Sequence, residues 1–134
     1  MKIITHMLED KVYESSNEDG NKLVIDMRAR ELKQQQSPVE VLLSSVAACA
    51  AVDIVLMLKK RKKTIQHFTI ETEGTRRTET PRSFTSIHCK YSITSADVTE
   101  EELTKTARLA LEKYCSVADS LKCKVDFSVE VIRP

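Results

Sequence analysis

The sequence lacks an excess of charge of either sign, any stretch rich in proline, glycine or serine, any Cys-x-x-Cys or His-x-x-x-His pair, and an apolar leader. Each absence removes a class of function. With 21 basic residues against 20 acidic ones, the formal charge is +1, and no overall field attracts nucleic acid or an anionic membrane. No compositional seam, repeat or low-complexity tract divides the chain, so residues 1–134 read as a single domain. The opening Met1-Lys2-Ile3-Ile4-Thr5-His6 lacks the apolar core of roughly 7–15 residues that marks a secretory signal, which points to the cytoplasm. In that compartment Cys49, Cys89, Cys115 and Cys123 are expected as reduced thiols, and any disulfide as transient. Neither Cys-x-x-Cys nor His-x-x-x-His occurs, and His6, His67 and His88 are scattered, so no metal site is expected.

What is present alternates between strand and helix signals. From Lys2 to Asp26, the β-prone runs Ile3-Ile4-Thr5, Lys11-Val12-Tyr13 and Lys22-Leu23-Val24-Ile25 flank a turn-like stretch, Ser15 to Gly20, and predict a small antiparallel meander. Arg28 to Gln36 is polar and aperiodic, hence a connector. Ser37-Pro38-Val39-Glu40 combines a hydroxyl N-cap, proline at the first helical position and a glutamate that completes a capping box. The helix it opens carries only Asp53 as a charge between Val41 and Met57, so it is apolar nearly all round and belongs at the centre. A membrane span is disfavoured by that acid at mid-depth. Lys59-Lys60-Arg61-Lys62-Lys63 places cations at the helix C-terminus, where the macrodipole favours them.

Alternation at Phe68, Ile70 and Thr72, and again at Ile87, Cys89, Tyr91 and Ile93, predicts two strands joined by a basic turn over 75–82. Thr99 to Glu102 repeats the capping box ahead of an amphipathic helix. Ser116-Val117-Ala118-Asp119 looks like a further capping box, so that helix is expected to break near Cys115 and restart. Val125, Phe127, Val129 and Val131 alternate with polar residues in a half-buried terminal strand.

Two cysteines stand out. Cys49 lies deep in the central helix and, taken alone, is a core residue packing as a small hydrophobe. Asp53, one turn on, must reach water, a donor or a cation, so something polar faces this helix. Cys115 precedes the expected helix restart, where unpaired backbone N–H groups favour a thiolate. Candidate activating cations are Arg76, Arg77 and Arg82 in the basic turn, with Arg28 and Arg30 in the connector. Cys89 and Cys123 read as structural.

Ser37-Pro38-Val39-Glu40-Val41-Leu42-Leu43 leading to Ala47-Ala48-Cys49-Ala50-Ala51-Val52-Asp53 resembles the central-helix motif of the OsmC/organic-hydroperoxide-resistance family. Glu112-Lys113-Tyr114-Cys115-Ser116-Val117-Ala118 resembles its second cysteine motif, and Arg76-Arg77 through Pro81-Arg82-Ser83-Phe84-Thr85 is similar to a stretch of the YhfA-like branch. The resemblance implies an α+β fold, with antiparallel sheets around a long central helix, in an intertwined homodimer with sites at the interface. It also implies a thiol peroxidase without metal or organic cofactor: Cys49 attacks an organic hydroperoxide, Cys115 closes a disulfide, and a dithiol reductant resets the pair.

In the hydroperoxide-resistance branch an acid follows the helix proline and joins an arginine from the early strands. Here Val39 holds that position, and Glu40 points about 100° away around the helix. Residues 2–26 contain no arginine. The expected network is therefore drawn from Arg77, Arg82, Asp53 and Glu40. A second reading keeps the fold without the catalysis, as a stress or small-ligand-binding protein using the dimer cleft.

Overall fold

The structure, a computed structural model, describes residues 1–134 as two compact units, Met1–Leu42 and Leu43–Pro134. In the first, strands β1 (Ile3–Glu9), β2 (Val12–Asn17) and β3 (Lys22–Asp26) form the expected antiparallel meander, with β2 in the middle. Ser15 and Ser16, which look turn-like in sequence, lie in β2 because strands pair with them on both sides: Ser15 faces Thr5 across one ladder and Leu23 across the other. The turn itself is held by Asn17, whose Oδ1 accepts the N–H groups of Asp19 at 3.1 Å and Asn21 at 2.9 Å.

The connector is anchored by one carboxylate. Asp26 is fully buried and accepts from Arg28 Nε at 3.0 Å, Arg28 Nη2 at 2.7 Å, and the backbone N–H groups of Arg28 at 3.0 Å and Gln34 at 2.8 Å. The Arg28 fork, followed by those N–H groups, holds its pKa well below the usual carboxylate range against the opposing effect of burial. This buried ion pair is satisfied on nearly every side, as such a pair must be.

Helix α1 (Pro38–Lys60) begins in the first unit and continues into the second. Its capping box forms as read: the Ser37 N–H donates to Glu40 Oε1 at 3.0 Å and the Glu40 N–H to Ser37 Oγ at 3.4 Å. Lys62, at φ +58°, turns the chain out of the helix, and the Lys63 N–H reaches back to the Leu58 carbonyl at 3.0 Å.

The second unit holds β4 (His67–Arg76), β5 (Phe84–Thr94), α2 (Glu100–Leu109), a single-turn π-helix over Ala110–Tyr114, α3 (Ser116–Asp119) and β6 (Lys124–Ile132). The sheet order is β4-β5-β6. β4 and β5 are antiparallel as expected, but β5 and β6 run parallel, which corrects the expectation of purely antiparallel sheets. Their long connection through α2 is the crossover that parallel strands require. The buried apolar residues come from Val46, Ala50, Ile54 and Leu58 on α1, Ile87, Tyr91 and Ile93 on β5, and Leu103 and Ala107 on α2. Only one stripe of α1 is covered, at intervals of four; Val52 is 60% exposed and Leu56 51%.

Candidate active site

Cys49 and Cys115, 66 positions apart in the sequence, come together in the second unit, where the Cys49 side chain acts on the Cys115 thiol. Cys49 is half-buried on α1, beside the fully buried Ala50. Cys115 is only 2% exposed and sits where the π turn ends, with φ −75° and ψ 100°. Ser116 was the cap read from sequence, but Cys115 is itself the N-cap of α3: its Sγ accepts the Ala118 N–H at 3.4 Å. Ser116 is instead the first helical residue.

Burial, two backbone donors and the neighbouring Cys49 act on the Cys115 thiol. Burial is the largest and pushes its pKa up, while the N–H groups of Ala118 and Val117 pull it down. The Cys49 side chain pushes it up again, favouring the protonated Cys115. The donors that lower it are backbone N–H groups rather than the guanidinium expected from sequence.

The arginines are placed elsewhere. Arg77 and Arg82 lie exposed in the turn between β4 and β5; Arg77 Nε donates to the Glu79 carbonyl at 3.2 Å, and Arg82 Nε to the Arg77 carbonyl at 3.4 Å. Arg77 also pairs with the Glu79 carboxylate at 3.5 Å, and neither arginine hydrogen-bonds a cysteine. Glu40 is engaged in the cap of α1, and its pKa is lowered chiefly by the Ser37 N–H. Asp53 is half-buried and opens on a depression of about 250 Å³ with Leu56, Met57, Lys60 and Tyr114. A second depression of about 180 Å³, lined by Glu112, Lys113, Tyr114, Cys115, Ser116 and Asp119, opens over Cys115.

One buried polar side chain escaped sequence reading. Tyr91 is fully buried on β5, and its hydroxyl has no hydrogen-bond partner of ordinary geometry. It lies beside the Cys89 sulfur, a weak partner, and is acted on by Cys115 and Cys49. Thr72, paired with Cys89 across the β4–β5 ladder, has a hydroxyl in the same condition. The signal in the sequence was a phenol on a strand parity otherwise apolar.

A second constellation is less than it looks. His88 Nδ1 contacts Asp126 Oδ1 and its Nε2 lies 2.9 Å from Ser128 Oγ, which is a nucleophile, base and orienter. The same wet face of β5 and β6 continues with Lys90 to Glu130 at 3.2 Å and Ser92 Oγ donating to Glu130 at 3.1 Å. A ladder of cross-strand polar pairs accounts for all of it.

Comparison with known proteins agrees with this architecture. The family model described as OsmC-like protein matches residues 32–130. Protein YhfA of Escherichia coli K12 is 28% identical over 127 residues, covering 93% of each chain. Among solved structures, an OsmC-like protein from Mycoplasma pneumoniae superimposes with a TM-score of 0.83 at 21% identity, over 98% of this chain and 96% of that one. The organic hydroperoxide resistance protein OhrB of Bacillus subtilis gives 0.62 at 17% identity, over 98% and 96%. At those identities the two structures establish the fold alone.

Proposed function

The chain belongs to the OsmC-like protein family, and from that membership and its paired sulfurs we propose that it is a thiol-dependent peroxidase for organic hydroperoxides. The carrying observation is the pair of neighbouring thiols in which Cys49 is half-open and Cys115 is buried, its pKa raised by burial and by Cys49. Several OsmC-fold neighbours, OhrB of Bacillus subtilis among them, are described as organic hydroperoxide resistance proteins, which supports the substrate class.

The chemistry follows from the asymmetry of the pair. The Cys49 thiolate attacks one peroxide oxygen; the O–O bond breaks, the alkoxide leaves and takes up a proton, and Cys49 becomes a sulfenic acid. That oxidation removes the negative charge that had held the proton on Cys115. Cys115 then ionises with the help of the Ala118 and Val117 N–H groups and attacks the Cys49 sulfur. The S–O bond breaks, hydroxide leaves as water, and a disulfide remains for an external dithiol to reduce. Exposed Arg77 and Arg82 are available to steer an anionic leaving group or to reach a second copy, and Asp53 and Lys60 shape the polar rim beside Tyr114.

That second copy is part of the reading. Ile3, Ile4, Met7 and Leu8 on β1 are each more than half exposed, as are Val52 and Leu56 on α1. Apolar surface on that scale is covered in a homodimer. A reducing cytoplasm suits a disulfide that must be reopened in each cycle.

Intact-mass measurement after one equivalent of cumene hydroperoxide tests the proposal. Wild type loses two hydrogens and regains them with a dithiol, Cys115→Ser yields a trappable Cys49 sulfenic acid, and Cys49→Ser does neither. Equal consumption by wild type and Cys49→Ser, or a wild-type chain that stays unmodified, favours the ligand-binding alternative.

A further inference from the structure

We infer that the external dithiol resets this pair by attacking the Cys49 sulfur, so that the mixed disulfide forms on Cys49 and Cys115 is the sulfur that leaves. The inference rests on the peroxidase reading and assigns the two cysteines their parts in its reductive half.

A disulfide offers two sulfurs to an incoming thiolate, and the choice between them is set by access and by the leaving group. Access favours Cys49. It is half-buried, whereas Cys115 is 2% exposed, and the depression of about 180 Å³ over Cys115 is walled mainly by Glu112, Lys113, Tyr114, Ser116 and Asp119. A nucleophile must come within bonding distance of the sulfur it attacks, which a buried sulfur does not permit without local opening. The exposure of Cys49 is also durable, because the residue stands on the 23-residue helix Pro38–Lys60, whose backbone bonds hold it in place.

The leaving group weighs on both sides. Burial raises the pKa of Cys115 and by itself makes it the slower sulfur to leave. Two features oppose this. The part of the rise caused by Cys49 is absent once Cys49 is tied into a neutral mixed disulfide. The departing sulfur also has a donor waiting, since the Ala118 N–H lies 3.4 Å from Cys115 Sγ in the reduced protein. A thiolate accepts such a bond more strongly than a disulfide sulfur does. The handicap that remains costs at most about tenfold in rate per unit of pKa, whereas attack at a covered sulfur waits on the chain to open.

The steps balance without a further reactant. One thiolate of the dithiol bonds to Cys49 Sγ, the Cys49–Cys115 bond breaks, and its electron pair goes to Cys115, which takes up a proton. The second thiol of the reductant, ionised in its turn, attacks the reductant sulfur of the mixed disulfide. A disulfide forms within the reductant, and Cys49 leaves as a thiolate ready for the next hydroperoxide.

The test makes the disulfide with diamide, which needs no peroxidase activity, in a Cys123→Ser background where only the buried Cys89 remains beside the pair. Brief exposure to 2-mercaptoethanol, a quench with N-ethylmaleimide in acidic denaturant, and peptide mapping by mass then locate the adduct. Mercaptoethanol on Cys49 with maleimide on Cys115 is expected to exceed the reverse by about tenfold or more. The reverse pattern, or equal labelling, overturns the inference. Ala118→Pro, which removes the waiting donor, slows reduction by excess dithiothreitol about tenfold, the worth of one hydrogen bond to a charged group, and leaves the adduct on Cys49; an unchanged rate overturns the part given to that donor. The map needs no change in α3, so it decides the site of attack even where Ala118→Pro does not fold. Failure of diamide to join Cys49 and Cys115 sinks the paired-sulfur reading itself, while an adduct on Cys115 overturns this inference alone.

Discussion

Alkaline pH should destabilise the Leu43–Pro134 unit through its buried thiols, and the size of the effect can be worked out. Cys89 is 0% exposed and Cys115 is 2% exposed, and burial is the largest cause raising the pKa of each. In the unfolded chain a cysteine ionises near pH 8.5. Above that pH the unfolded state therefore binds fewer protons than the folded one, and stability falls as pH rises. A thiol that stays protonated in the folded state loses at most about 1.4 kcal/mol between pH 7.5 and 9.5, and two such thiols at most about 2.8 kcal/mol. That is a large part of the roughly 5–15 kcal/mol holding a domain of this size. Tyr91, raised by burial above all, joins only beyond about pH 10, where unfolded tyrosine begins to ionise. Urea unfolding at pH 7.5, 8.5 and 9.5, under a phosphine reductant, measures the slope. Cys89→Ala is less stable at every pH but loses about half of the slope, since one of the two groups is gone. A flat profile across this range, or a variant with the wild-type slope, refutes the reasoning.

Two further outcomes follow from single residues. Asp26 has a lowered pKa, so its contribution is present above the unfolded value of about 3.9 and is lost as pH falls below it; Asp26→Asn should give a flatter acid limb than wild type, read by amide exchange over Met1–Leu42 between pH 5 and 3, and equal limbs would count against the Arg28 fork as its anchor. At Gly74 an added Cβ runs into the Phe84 ring and comes within 3.1 Å of Leu43 Cδ2; Gly74→Ala should cost about 1–3 kcal/mol in urea unfolding, with part recovered in Gly74→Ala/Phe84→Leu, and an unchanged midpoint would show that the ring gives way freely.

Where local chemistry decides a feature, the sequence was a sufficient guide. Ser37 with Glu40, and Thr99 with Glu102, each satisfy backbone donors within four residues, and both capping boxes form as read. The terminal strand follows from alternation alone. What escaped is set by partners distant along the chain. Ser15 and Ser16 are strand residues because they have neighbours on both sides, and β6 is parallel because of where α2 returns it. The site divides in the same way. The two cysteine motifs singled out Cys49 and Cys115 as candidates, yet no sequence spacing reports that Tyr91 is buried with an unpaired hydroxyl, or that the arginines of the 75–82 turn bond within that turn. Asp26 and Arg28 stand two residues apart in plain view, but the burial that gives the pair its weight depends on Gln34 folding back over it.

The supports of the two sulfurs differ in kind, and in the proposed reaction that difference fits Cys49 to attack and Cys115 to resolve, independently of exposure. Cys49 lies inside a helix of 23 residues, where the backbone hydrogen bonds on both sides fix its position. An attacking atom benefits from such fixity, because the peroxide must be met in one orientation. Cys115 stands between a five-residue π turn and a helix of only four residues, which it caps through its own sulfur. Little structure need move for it to advance, and a disulfide demands an advance, since the sulfurs of two free thiols must close to about 2.05 Å. A disulfide sulfur is also a poorer acceptor than a thiolate, so the bond from Ala118 that draws charge onto Cys115 weakens once that charge has been spent. In the proposed cycle the cap of α3 and the redox state of the pair are linked through one atom, with the motion of closure falling on the short helix rather than the long one.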